Sequence, residues 1–109
     1  MFSIDNTTHK INLTKGDDAE IIVKVFDAEG NDRGVYADDT LKLTIRKSAG
    51  SAIVLSKTAI DGMFVLTPTD TKTLPSGNYV YDVELTSFTG KTYTIIPKST
   101  FVLGDEITV

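Results

Sequence analysis

The side-chain pattern of this chain predicts an all-β fold, an Ig-like antiparallel β-sandwich of about seven to nine strands with at most one short helical turn. Three observations carry that expectation. Segments that alternate apolar and polar residues recur along the chain, the period of a half-buried strand. Turn residues punctuate them roughly every eight to twelve positions. No stretch repeats apolar residues at helical spacing. A small OB-like barrel is the alternative architecture for such a pattern.

Residues 1–8 carry few apolar side chains and are expected to form an arm or edge segment, leaving 9–109 as one sandwich domain. The segment His9 to Thr14 alternates, with Ile11 and Leu13 on one parity. After the turn Lys15-Gly16-Asp17-Asp18, the stretch Ala19 to Asp27 reads as a strong strand with Ala19, Ile21, Val23 and Val25 inward. Its outward parity holds Glu20 and Lys24, but also Ile22 and Phe26. Those two either lie under a loop or mark a subunit contact, because contiguous exposed apolar surface signals a partner.

A polar loop, Asp27 to Gly34, precedes Thr40 to Lys47, where Leu41, Leu43 and Ile45 alternate with Lys42, Thr44 and Arg46. The segment Ser48-Ala49-Gly50-Ser51 has hairpin length, and Ala52 to Lys57 reads as its return strand. Thr58 to Gly62 turns again and Met63 to Thr67 is a short strand. The helical turn is expected near residues 68–74, with Thr67 as cap, Pro68 at the first position and Asp70 at the positive end.

The most informative stretch is Leu74-Pro75-Ser76-Gly77-Asn78-Tyr79-Val80-Tyr81-Asp82-Val83-Glu84-Leu85. Pro75 presets one turn dihedral and Gly77 accepts a positive one. Beyond the turn, Tyr79, Tyr81, Val83 and Leu85 share the dry face. Greek-key sandwiches often hydrogen-bond a tyrosine near the start of a late strand to backbone a few residues upstream, and Tyr79 has that layout. A second hairpin turn, Phe88-Thr89-Gly90, leads to Lys91 to Ile96, with Tyr93 and Ile95 on one parity. An interruption is expected at Pro97-Lys98-Ser99 before Thr100 to Leu103 resumes.

Composition narrows the function. The 109 residues hold 15 acidic and 11 basic side chains, a net charge of −4, with no cysteine. The lysines and arginines are scattered apart from Arg46-Lys47, so the basic footprint that a nucleic-acid backbone requires is missing. No window approaches the roughly 18 apolar residues of a membrane helix. The first residues lack the basic and apolar regions of a signal peptide, and stability is expected from packing and hydrogen bonds rather than disulfides.

The chemistry expected of the chain is correspondingly sparse. His9 is the single histidine, read as a surface residue; zinc needs several convergent ligands and a nucleophilic triad needs a base beside its nucleophile. No catalytic residue, metal site or cofactor is expected. The acidic residues Asp17, Asp18, Asp27, Glu29, Asp32, Asp38 and Asp39 read as turn formers; a calcium loop over Asp27 to Asp32 would have Gly30 at the wrong place. Asn6-Thr7-Thr8 and Asn12-Leu13-Thr14 fit the N-glycosylation pattern. Tyr36, Tyr79, Tyr81 and Tyr93 suggest a sugar-stacking platform less than a core, since three of them share core parities.

Several of these stretches resemble a known family. The run Lys15-Gly16-Asp17-Asp18-Ala19-Glu20-Ile21-Ile22-Val23-Lys24-Val25, its following turn and Leu41 to Lys47 resemble the opening hairpins of small Ig-like domains in tailed-phage structural proteins. Leu66 to Val83, a threonine-rich turn followed by Gly77, Tyr79, Tyr81, Asp82 and Val83, is similar to a segment in the N-terminal domain of phage baseplate upper proteins. Phe101-Val102-Leu103 before an acidic, threonine-containing end resembles the close of that domain.

The likeness spans about residues 15–109. It implies a non-enzymatic structural component of a phage or prophage particle, associated with tail or baseplate and assembled in the bacterial cytoplasm. Its partners would be other virion proteins or copies of itself, with a homo-oligomer among the options and neither nucleic acid nor membrane involved. Ile22 and Phe26 are the candidate contact residues. The alternative is a bacterial surface or secreted Ig-like adhesion or ligand-binding module.

Overall fold

A computed structural model describes residues 2–4, 7–36 and 38–105. Asn6 of the first glycosylation pattern and the end segment after Asp105 lie outside the described residues. The strands are β1 (Phe2–Ile4), β2 (Ile11–Thr14), β3 (Ala19–Ile22), β4 (Thr40–Arg46), β5 (Ile53–Thr58), β6 (Met63–Leu66), β7 (Gly77–Thr86) and β8 (Thr92–Gly104). One helical turn, α1 (Pro68–Thr71), separates β6 from β7. The strands form a six-stranded sheet in the order β1-β2-β8-β7-β4-β5 and a two-stranded sheet of β3 and β6. This is the expected sandwich, and no barrel closes. No helix among the described residues is long and apolar enough to cross a membrane.

The core lies where the alternation places it. From β7, Tyr79, Tyr81, Val83 and Leu85 point inward beside Leu41, Leu43 and Ile45 of β4. Ile21 of β3 and Phe64 and Leu66 of β6 close over them. Phe101 of β8 meets the rings of Tyr79 and Tyr81 edge-on, with centroids 6.4 and 6.5 Å apart and planes at 76°, a favourable aromatic geometry.

Each tyrosine also carries its hydroxyl to a backbone carbonyl. Tyr79 donates to Pro75 O at 2.5 Å, the expected corner. Tyr81 donates to His9 O at 2.5 Å, across 72 residues of sequence. Burial pushes the Tyr81 phenol up to about 12, so the donor keeps its proton at neutral pH. His9 is half-buried and adopts a left-handed backbone, φ 61°, so its part is structural through its main chain rather than that of a free surface residue.

At the helical turn, the Asp70 carboxylate reaches back to the Thr67 backbone N–H at 2.8 Å and pairs with Lys57 at 3.2 Å. Burial alone would raise its pKa, but the Thr67 amide and Lys57 outweigh it and hold it below the usual carboxylate value. The connection from β5 to β6 closes on Asp61-Gly62, where Ile60 and Met63 exchange both backbone bonds. Asp61 and Gly62 have φ of 53° and 77°, the primed two-residue turn that matches strand twist.

Four features depart from the expected strands. β2 runs parallel to β8, Ile11 opposite Phe101, so the large sheet is not purely antiparallel. The ladder of β3 ends at Ile22, although alternation of burial continues through Val23, Lys24 and Val25. β8 continues through Pro97 instead of stopping, because register shifts against β7 absorb the extra residues between Thr94 and Ser99; a bulge tolerates proline where a regular ladder would not. Tyr93 shares the inward face with Leu85 yet is 50% exposed, since the two-stranded sheet is too small to cover that end.

Magnitudes assign the roles. A buried phenylalanine cut to alanine costs about 3–5 kcal/mol, whereas one hydrogen bond contributes about 0.5–1.5 kcal/mol. Burial around Phe101 therefore supplies most of the energy, and the two hydroxyls set where the chain turns. Tyr79→Phe and Tyr81→Phe should each lower stability in urea denaturation by about 0.5–1.5 kcal/mol. An unmoved midpoint would remove the corresponding anchor.

Candidate functional site

The uncovered inward face at the loop end of the sandwich forms a cleft of about 640 Å³. Leu85 and Val25 are among its apolar lining; the hairpin carrying Phe26 stands on one side and the β7–β8 hairpin carrying Phe88 on the other. Phe26, Phe88 and Tyr93 are 57%, 70% and 50% exposed. Large, half-open aromatic side chains around a hollow are the composition of protein-binding anchors.

Both walls are held by their own backbones. In the first, Phe26 bridges Asp32, and Asp27 N donates to Asn31 O at 2.9 Å. The Asp27 carboxylate accepts from the amides of Glu29 and Asn31 at 3.0 and 2.9 Å, and Asp32 accepts from the Gly34 amide at 2.9 Å. These acids thus serve the turn itself. In the second wall, Ser87 N donates to Lys91 O at 2.8 Å and Gly90 N to Ser87 O at 2.9 Å.

A clamp behind the first wall ties the end of the loop to Asp39, the residue that leads into β4. The Arg33 guanidinium donates to Asp39 Oδ2 at 2.9 Å and to Gly34 O at 3.2 Å. It also lies 4.1 Å from the centre of the Tyr36 ring, an attractive cation–π geometry. The Tyr36 amide donates to the same Asp39 oxygen at 2.9 Å, and the Asp39 carboxylate is closed off from solvent. The Arg33 and Tyr36 bonds hold its carboxyl below the usual carboxylate value. Nothing in the spacing of Arg33, Tyr36 and Asp39 announces this clamp; the one local signal is a charged pair flanking an aromatic.

Ile22 and Phe26, the two residues singled out from sequence, are both exposed, Ile22 at 72%. They border a second hollow of about 460 Å³ with Ile4, Ile95 and Ile96. Only Phe26 also lines the loop-end cleft, while Ile22 stands on the outer face of the small sheet. Phe88 escaped notice because a single aromatic in a turn has no periodic partner. Of the tyrosines, Tyr79 and Tyr81 are core, whereas Tyr36 and Tyr93 are half exposed, a correction for Tyr93. Among the described residues, no three histidine or carboxylate side chains gather as a metal site.

Compared with known proteins, the chain matches no family model and no curated relative.

The clamp makes a pH prediction. With the folded pKa of Asp39 lower than its unfolded value, its contribution is complete above the ordinary value of 3.8 and is lost as pH falls from there through the folded value. Asp39→Asn should therefore lower the melting temperature at neutral pH and flatten its fall below pH 3.8. Parallel melting curves for the two proteins across that range would refute the coupling.

Proposed function

We propose that this chain is a non-enzymatic structural component of a phage or prophage particle, a tail- or baseplate-associated Ig-like module working through protein–protein contact at its loop end. The observation that carries this reading is the cleft between two internally bonded hairpins, rimmed by Phe26, Phe88 and Tyr93. A contact of this kind needs fixed walls and aromatic anchors more than polar chemistry. The virion setting is supported by the resemblance of residues 15–109 to baseplate upper proteins. The cleft volume also lies within the range of small-ligand pockets, which favours the bacterial ligand-binding module as the second reading.

Particles purified from the native host should contain the chain, detected by mass spectrometry. The double variant Phe26→Asp, Phe88→Asp should disappear from them while its melting temperature stays within a few degrees of the parent. Absence of the parent chain from purified particles would overturn the virion reading. Retention of the variant would overturn the cleft.

A further inference from the structure

The outer faces of the two sheets differ in the middle of each. On the large sheet, Lys42, Thr44, Asp82, Glu84, Thr92 and Thr94 make the middle of the outer face polar, as an antiparallel sheet facing water should be, with Ile53 and Val80 beside Arg46 toward one end. On the small sheet, Met63 lies directly opposite Ile22 in the ladder, and Ile60 opposite Met63 across the tight turn. Residues directly opposite in an antiparallel pair share a face. Ile60, Met63 and Ile22 therefore form an apolar row across the strands, with Ile60 77% and Ile22 72% exposed. Val65, opposite Glu20, adds to it.

Charge flanks this row in a particular way. Along β3 and its extension, Glu20, Ile22 and Lys24 are the successive outward residues, all exposed: negative, apolar, positive. We propose that this face is the contact surface for a second copy of the chain, packed sheet on sheet about a two-fold axis running along the Ile60-Met63-Ile22 row. That axis lies between the sheets and reverses the strand direction. It sets each apolar residue of the row against its own counterpart and Glu20 of each copy against Lys24 of the other. The other two-fold arrangement, with the axis along the strands, would set Glu20 on Glu20 and Lys24 on Lys24, and like-charge contacts disfavour it. The apolar row supplies the affinity and the charges choose between the arrangements. This surface is separate from the loop-end cleft, so either can fail without the other.

Light scattering and sedimentation of the purified full chain over a range of concentrations test the proposal, with circular dichroism melts to confirm folding. The parent should be a dimer at high concentration, and Ile22→Asp a folded monomer. Glu20→Lys and Lys24→Glu should each weaken self-association at least about tenfold, because each reversal creates two like-charge contacts. The double reversal, Glu20→Lys with Lys24→Glu, should restore the parental dimer, which a general loss of solubility or folding would not do. A parent that stays monomeric at every concentration, a dimer indifferent to Ile22→Asp, or a double reversal that remains as weak as the single ones would each overturn it.

Discussion

Phe101 stands edge-on between the rings of Tyr79 and Tyr81, and much of the molecule is placed by that three-ring contact. The tyrosines lie on alternate positions of β7, so both rings turn inward while their hydroxyls diverge. One fastens the turn that delivers the chain into β7. The other fastens the segment ahead of β2, which lies against β8 and so against Phe101 itself. A central strand, its entry turn, the adjoining β8 and the segment ahead of β2 are thus tied to one patch of aromatic surface, and Lys47 closes it from outside, 4.7 Å from the Tyr79 ring centre.

The second governing fact is a mismatch of area. Six strands are covered by two, and β3 and β6 are four residues each. The small sheet suffices to bury the middle of the large one, where Leu43, Ile45, Phe64 and Val83 have no exposure. Toward the β7–β8 hairpin it runs out, and a face that is apolar by register meets solvent as a hollow instead of a core. Antiparallel sandwiches that cover both inner faces evenly have no such feature. The surfaces proposed for contact arise from the small sheet being short on one side and greasy on the other.

How much of this could be read in advance depends on the range of the interaction. The strands β4 and β7 were legible because one face of each is buried along its whole length, so burial writes period two into the residues. The Tyr79 corner was legible because donor, turn and acceptor are four residues apart. The helical turn carried its own signals in Thr67, Pro68 and Asp70. By contrast, parallel pairing of β2 with β8 has no local signature: Ile11 and Leu13 alternate in the same way whichever neighbour they have. The bulged course of β8 past Pro97 was hidden because proline reads locally as a stop. Tyr93 was misplaced because parity tells which way a side chain points, not whether anything lies above it. The outward grease at Ile22 and Phe26 was visible, but its division between a loop-end hollow and a sheet face depends on where the ladder of β3 ends in space.

The parallel strand pair has a consequence for biosynthesis. β2 is made early and has only the three-residue β1 beside it until residues 101–104 supply its second ladder partner, so in a nascent chain one edge of this apolar strand stays open until β8 has emerged. Chains synthesised from the N-terminus ordinarily fold whole domains as units, and here the unit cannot close stepwise. A ribosome stalled even a few codons before Phe101 would hold a chain lacking both the central ring and the strand that joins β2 to the rest of the large sheet. The domain with β8 and the domain without it therefore differ far more in buried apolar surface than in length.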